Sequence, residues 1–110
     1  FMGEADFVPG SLAYGHVTTA LGSLAVVPGT SPGAVEVMVR PHDVGVIPDQ
    51  LGAGVVSRTE FRGAEVLHHV TFDGGTTLRA LTPHTSPVAV GTRVTVQPVA
   101  DHPLVAFSLT

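Results

Sequence analysis

Residues 37–49 read VMVRPHDVGVIPD. Two apolar runs flank a polar knot of Arg40, Pro41, His42 and Asp43. Val35, Val37 and Val39 alternate with Glu36, Met38 and Arg40, the period of a strand with one buried face. Pro41 fixes φ and lacks a backbone donor, so strand pairing stops or bends there. Val44–Ile47 then starts a second strand. A ligand site would need convergent side chains, and the consecutive His42 and Asp43 are poorly placed to chelate one ion. A corner needs only an arginine whose planar fork bonds carbonyls or pairs with Asp43. The residues favour a structural corner of Arg40, Pro41 and Asp43.

The same β signature runs outward in both directions. Gly (13) and Pro (9) are spread along the 110 residues, and both disfavour helix interiors. Short β-branched runs recur between turn signals, which predicts an all-β barrel or sandwich. Strands are expected at 16–20, 23–27, 35–40, 44–47, 54–61, 64–72, 76–81, 93–99 and 104–109. Asp73-Gly74-Gly75 reads as a hairpin turn, because both glycines tolerate positive φ. Residues 48–52, PDQLG, read as the boundary between an N-terminal β segment (1–52) and a self-contained barrel (53–110). In FMGEADF, Glu4 and Asp6 are expected to face outward and Ala5 and Phe7 inward. Val55, Ser57, Thr59 and Phe61 are expected on one face of their strand, with Val56, Arg58 and Glu60 on the other. Ala64, Val66, His68, Val70 and Phe72 are expected to share a face.

Composition excludes several functions. There is no cysteine, so disulfides and thiolate metal sites cannot form. All five basic residues are arginines, at 40, 58, 62, 79 and 93, and the formal net charge is −4. Scattered arginines on an acidic chain argue against nucleic acid, which needs clustered cations. Without lysine there is no P-loop, no biotin or lipoate carrier and no Schiff base. No apolar run approaches the roughly 18 residues of a spanning helix. Charged residues make up only 13%, about half the usual share, which predicts a surface partly covered by a partner.

Six histidines raise the question of a metal. His68 and His69 are adjacent on a strand and point to opposite faces, so they cannot hold one ion together. His16, His42, His84 and His102 fall in separate loops or strand ends. They read as solvent-facing or hydrogen-bonded residues. No G-x-S-x-G elbow appears, and Ser11, Ser23, Ser57 and Ser86 sit in ordinary turn or strand contexts. A metal-dependent β-barrel enzyme is therefore the weakest alternative, and no catalytic, metal or cofactor residue is assigned.

Several segments together resemble one family. FMGEADFVPG looks like the segment after the nucleotide-binding domain in ATP-binding subunits of bacterial ABC importers. Val39-Arg40-Pro41-His42-Asp43-Val44 resembles that family's RPE-D/H-apolar motif, with His42 where glutamate is usual. GVVSRTEFRGAEVLHHVTFDGG resembles the start of the TOBE domain, and VGTRVTVQPVADHPLVAF its close. The resemblance implies an OB-fold-like small β-barrel of TOBE type, built from two interleaved parts. It implies a C-terminal regulatory and dimerisation region, most similar to the iron(III), polyamine and sulfate importers. Phe1 in place of an initiator methionine fits a piece of a longer protein. ATP and Mg would bind the missing nucleotide-binding domain, and none of its motifs has a counterpart here. Implied partners are a second copy, the parent ATPase domain and, indirectly, the membrane subunits, at the cytoplasmic face of the cell membrane. An alternative role is sensing of a small oxyanion, with Ser57, Arg58, Thr59 and Arg62 as candidate donors.

Overall fold

The computed structural model describes residues 5–85 and 87–109. Glu4 and Ser86 lie outside the described residues. Ten strands follow in order: β1 (Asp6–Ala13), β2 (His16–Thr19), β3 (Gly22–Ala25), β4 (Gly33–Val39), β5 (Val44–Pro48), β6 (Gly54–Arg62), β7 (Glu65–Phe72), β8 (Thr77–Pro83), β9 (Arg93–Pro98) and β10 (Val105–Ser108). A single 3₁₀ turn, Pro41–Asp43, separates β4 from β5. No helix among the described residues is long and apolar enough to cross a membrane.

The strands form two five-stranded sheets, ordered β10-β4-β1-β2-β3 and β5-β9-β6-β7-β8. The pairings between named strands are antiparallel. The edge strands β5 and β8 of the second sheet approach each other, so this sheet curls toward closure as in OB-like barrels. The inner faces of both sheets meet in one core. Val35, Val37 and Val39 from β4 are fully buried there, as are Val56, Val70 and Val94 from the second sheet. Val66, His68, Val70 and Phe72 share the buried face expected of β7.

The expected division at residue 52 does not separate the two sheets. β5 precedes it yet pairs with β9, from Val44 opposite Pro98 to Pro48 opposite Val94. β10 follows it yet pairs with β4, with Val105 opposite Met38. The loop at 48–52 is also a fastened turn. Asp49 accepts from the Leu51 N–H (2.9 Å) and the Thr95 hydroxyl (2.7 Å), and Gly52 N–H donates to the Asp49 carbonyl. A Cβ on Gly52 would sit 2.1 Å from the Val94 carbonyl oxygen, so only glycine allows this approach. Polar turn residues mark where a strand ends, but they do not encode where it pairs.

Two predicted faces are reversed. In β1, Val8 and Leu12 point into the core, while Phe7 is half exposed and meets Phe107 of β10 edge-on at 6.1 Å between ring centroids. Asp6 is turned inward toward Arg79. The Pro9-Gly10 pair hid a strand that continues to Ala13. In β6 a bulge between Val56 and Arg58 inserts Ser57. An inserted residue shifts every later side chain to the other face. Thr59 and Phe61 therefore stand opposite His68 and Val66, and Arg58 stands opposite His69. The hairpin at 73–75 forms as expected, although only Gly75 adopts a positive φ, 95°.

Candidate functional site

The four candidate donors leave the bulge in different directions. The Ser57 hydroxyl donates to the His69 carbonyl at 3.1 Å and accepts from the Thr71 hydroxyl at 3.3 Å. Arg58 and Arg62 flank the Glu60 carboxylate at 3.7 and 3.9 Å. Thr59 lines a separate apolar recess of about 220 Å³ with Phe61, Val66 and residues 87–89. The four thus do not line one pocket. The guanidinium pair meets a carboxylate, which an incoming anion would have to displace.

Glu60 is the centre of this cluster, and sequence reasoning missed it. Its Oε2 lies 2.6 Å from His69 Nε2. That hydrogen bond, aided by Arg58 and Arg62, holds its carboxyl below the ordinary 4.5 despite some desolvation. The sequence does place Arg58 and Glu60 on one strand face, and the same i, i+2 spacing extends that row to Arg62. The match to His69 depends on the bulge, which no residue pattern announces.

Beside the cluster lies a recess of about 360 Å³, lined by Ser57, His69, Thr71, Thr77 and the Asp6–Arg79 pair. Arg79 grips Asp6 through Nε (3.2 Å) and Nη2 (3.1 Å), and its backbone N–H adds a third bond at 2.9 Å. This two-pronged contact, the geometry arginine is suited to, ties β1 of one sheet to β8 of the other. Many polar groups on the wall therefore bond one another.

The 40–43 corner forms where the sequence places it, and Asp43 fastens it. Arg40 donates its backbone N–H to Asp43 Oδ2 (2.9 Å), and Asp43 N–H returns to the Arg40 carbonyl (2.9 Å). The Asp43 carbonyl accepts from Val99 (2.8 Å) and Ala100 (3.2 Å), binding the corner to the end of β9. Asp43 is buried, and His102 approaches its other carboxyl oxygen at 3.8 Å. Arg40 enters these bonds through its main chain. Pro41 is buried, and His42 is exposed and 3.5 Å from Glu65. The remaining histidines stay apart: His16 and His102 each bond a nearby carbonyl, and His84 is exposed. No three metal-ligating side chains converge among the described residues.

Two antiparallel sheets, one curled toward closure, around a single core define a small all-β module of the OB-like class. The chain belongs to the TOBE domain family, whose model matches residues 37–105. The matched span starts in β4, crosses the 3₁₀ corner and ends at the first residue of β10. No curated protein matches the chain. The TOBE domain is a non-catalytic module, typically regulatory or ligand-binding in transporter ATPases.

Proposed function

We propose that this chain is the C-terminal regulatory and pairing module of the ATP-binding subunit of a bacterial ABC importer, one that moves iron(III) or a related small ion. The observation carrying this reading is the TOBE match, which runs through strands of both sheets and the RPHD corner. ATP and Mg would be bound by the parent's nucleotide-binding domain, and the module would sit at the cytoplasmic face beside the membrane subunits. Pairing of two copies is supported by the outer face of β10-β4-β1. There Phe7 and Val105 flank Met38, and Phe107 and Pro9 flank Glu36, in direct register. Phe7, Val105 and Phe107 are exposed. An apolar, charge-poor patch of this kind suits a two-fold, self-complementary contact.

The coding sequence upstream of Phe1 tests the parentage. A P-loop and an ABC signature are expected there, and another domain type would overturn the reading. Calorimetry with molybdate, tungstate, sulfate and phosphate tests the alternative of oxyanion sensing. No heat is expected, because Glu60 occupies the position between Arg58 and Arg62.

A further inference from the structure

One titratable side chain is fully buried and takes no part in the surface cluster. His68 is 0% exposed, on β7 between Thr59 of β6 and Ala80 of β8. Its Nε2 accepts the backbone N–H of Val88 at 2.9 Å. That bond fixes the tautomer: Nε2 carries the lone pair and Nδ1 the proton, with Thr82 Oγ1 at 3.4 Å as its acceptor.

Val88 lies in the 87–92 stretch that leads into β9. Gly91 N–H ties the far end of that stretch to the Val56 carbonyl (2.7 Å), and on the β8 side His84 N–H bonds the Ala64 carbonyl. Within the stretch, Val88 is buried in the core and its N–H rests on His68. The same segment forms one wall of the apolar recess beside Phe61. A protonated imidazole has no lone pair at Nε2. It would face the Val88 N–H with an N–H of its own, inside an apolar core.

We infer that His68 is an acid-sensitive latch: neutral, it holds the 87–92 segment on the barrel, and protonated, it releases that segment and remodels the recess beside Phe61. This goes beyond the proposed regulatory function and does not depend on it. The groups packed around the ring leave burial as the controlling influence. Thr59 on β6 and Ala80 and Thr82 on β8 are uncharged. Asp43, on the 3₁₀ turn that packs against β8, is engaged with the Arg40 N–H. His84, at the end of β8, is exposed and bonds the Ala64 carbonyl through its backbone N–H.

Burial pushes the folded pKa of His68 below the ordinary 6.5, and the nearby carbonyls only partly oppose it. The sign follows. A segment-open state, with the ring in water, binds a proton more readily than the closed state. The closed form is therefore fully favoured above about pH 7.5 and loses ground as pH falls through 6.5. The open-to-closed ratio rises about tenfold per pH unit until the lowered folded pKa is reached.

NMR on the 110-residue chain tests this between pH 7.5 and 5. Val88 amide protection, corrected for intrinsic exchange, is expected to fall about tenfold per unit below 6.5. The Val70 and Leu78 amides should keep theirs. His68→Gln, whose side-chain carbonyl accepts the same N–H without titrating, should remove the pH dependence, and His84→Gln should retain it. Constant Val88 protection, equal loss at Val70 and Leu78, or removal of the effect by His84→Gln would each overturn the latch. Should His68→Gln not fold, the His68 ring resonances in the wild-type chain decide it. A titration at or above 6.5 sinks the proposal.

Discussion

The two sheets bury the same kind of interior and turn different chemistry outward. β1, β2, β3, β4 and β10 carry only two formal charges, Asp6 and Glu36, and no arginine. The other sheet carries Arg58, Arg62, Arg79 and Arg93 with Glu60 and Glu65. Both inner faces are rich in valine, but the outer faces differ. The charged exterior can stand in water, whereas the apolar one, with Phe7 edge-on to Phe107, gains by being covered. The low overall charge of the chain is therefore localised on one of its two faces.

The largest expected way to break the comparison is Gly52→Ala. Its Cβ would collide with the Val94 backbone, which cannot swing aside. Unfolding stability should drop by about 3 kcal/mol. Gly74→Ala, with open space around it, should change stability by less than about 0.5 kcal/mol. Equal denaturation midpoints for the two would refute the close approach. Next comes Asp43→Ala, at the joint between the sheets. It leaves the Arg40 N–H without its carboxylate partner and should cost about 2 kcal/mol by chemical denaturation.

Asp6→Ala removes the contact that ties β1 to β8. The pair is partly exposed, with side-chain accessibilities of 25% and 20%. Screening therefore keeps the cost near 1 kcal/mol, and hydrogen exchange should rise in β1 and β8 before other strands. Phe107→Ser addresses the apolar exterior alone. It should alter monomer stability by less than about 1 kcal/mol yet abolish self-association in sedimentation velocity. An unchanged sedimentation profile would leave that face without a pairing role.

The smallest effect belongs to the charged exterior. Glu60 titrates below the ordinary 4.5, chiefly through its hydrogen bond from His69. Its ionised form therefore supports the fold above 4.5, and that support is lost as pH falls through the lowered value. In His69→Ala the Glu60 carboxyl should move back toward 4.5, as read by carbon-detected NMR titration. A fixed Glu60 titration would show that the arginines, rather than the imidazole, set it.

What the sequence revealed followed the range of each signal. Most strand positions and the buried row of Val35, Val37 and Val39 depend on local period and were readable, whereas β1 was hidden by Pro9-Gly10. So was the Asp73–Gly75 hairpin, and the corner at Pro41 was legible because proline restricts its own backbone. The bulge at Ser57 left no mark in residue type, and it reversed the faces of Thr59 and Arg58. Phe7 misled because a large apolar residue was read as core, when its partner is another exposed ring almost a whole chain away. The Glu60–His69 contact and the His68–Val88 bond were hidden for the same reason. Each needs a register or a loop path that only the folded chain supplies.

The exchange of edge strands between the two halves also has a consequence in time. During synthesis the first four strands emerge together, but β4 must wait for β10 while β5 through β9 are made. Until then one side of β4 offers unpaired N–H and C=O groups to any neighbouring chain. Glu36, the one acidic residue facing outward on β4, stands beside that open edge. A charge at that point would disfavour a second nascent chain in the place reserved for Phe107.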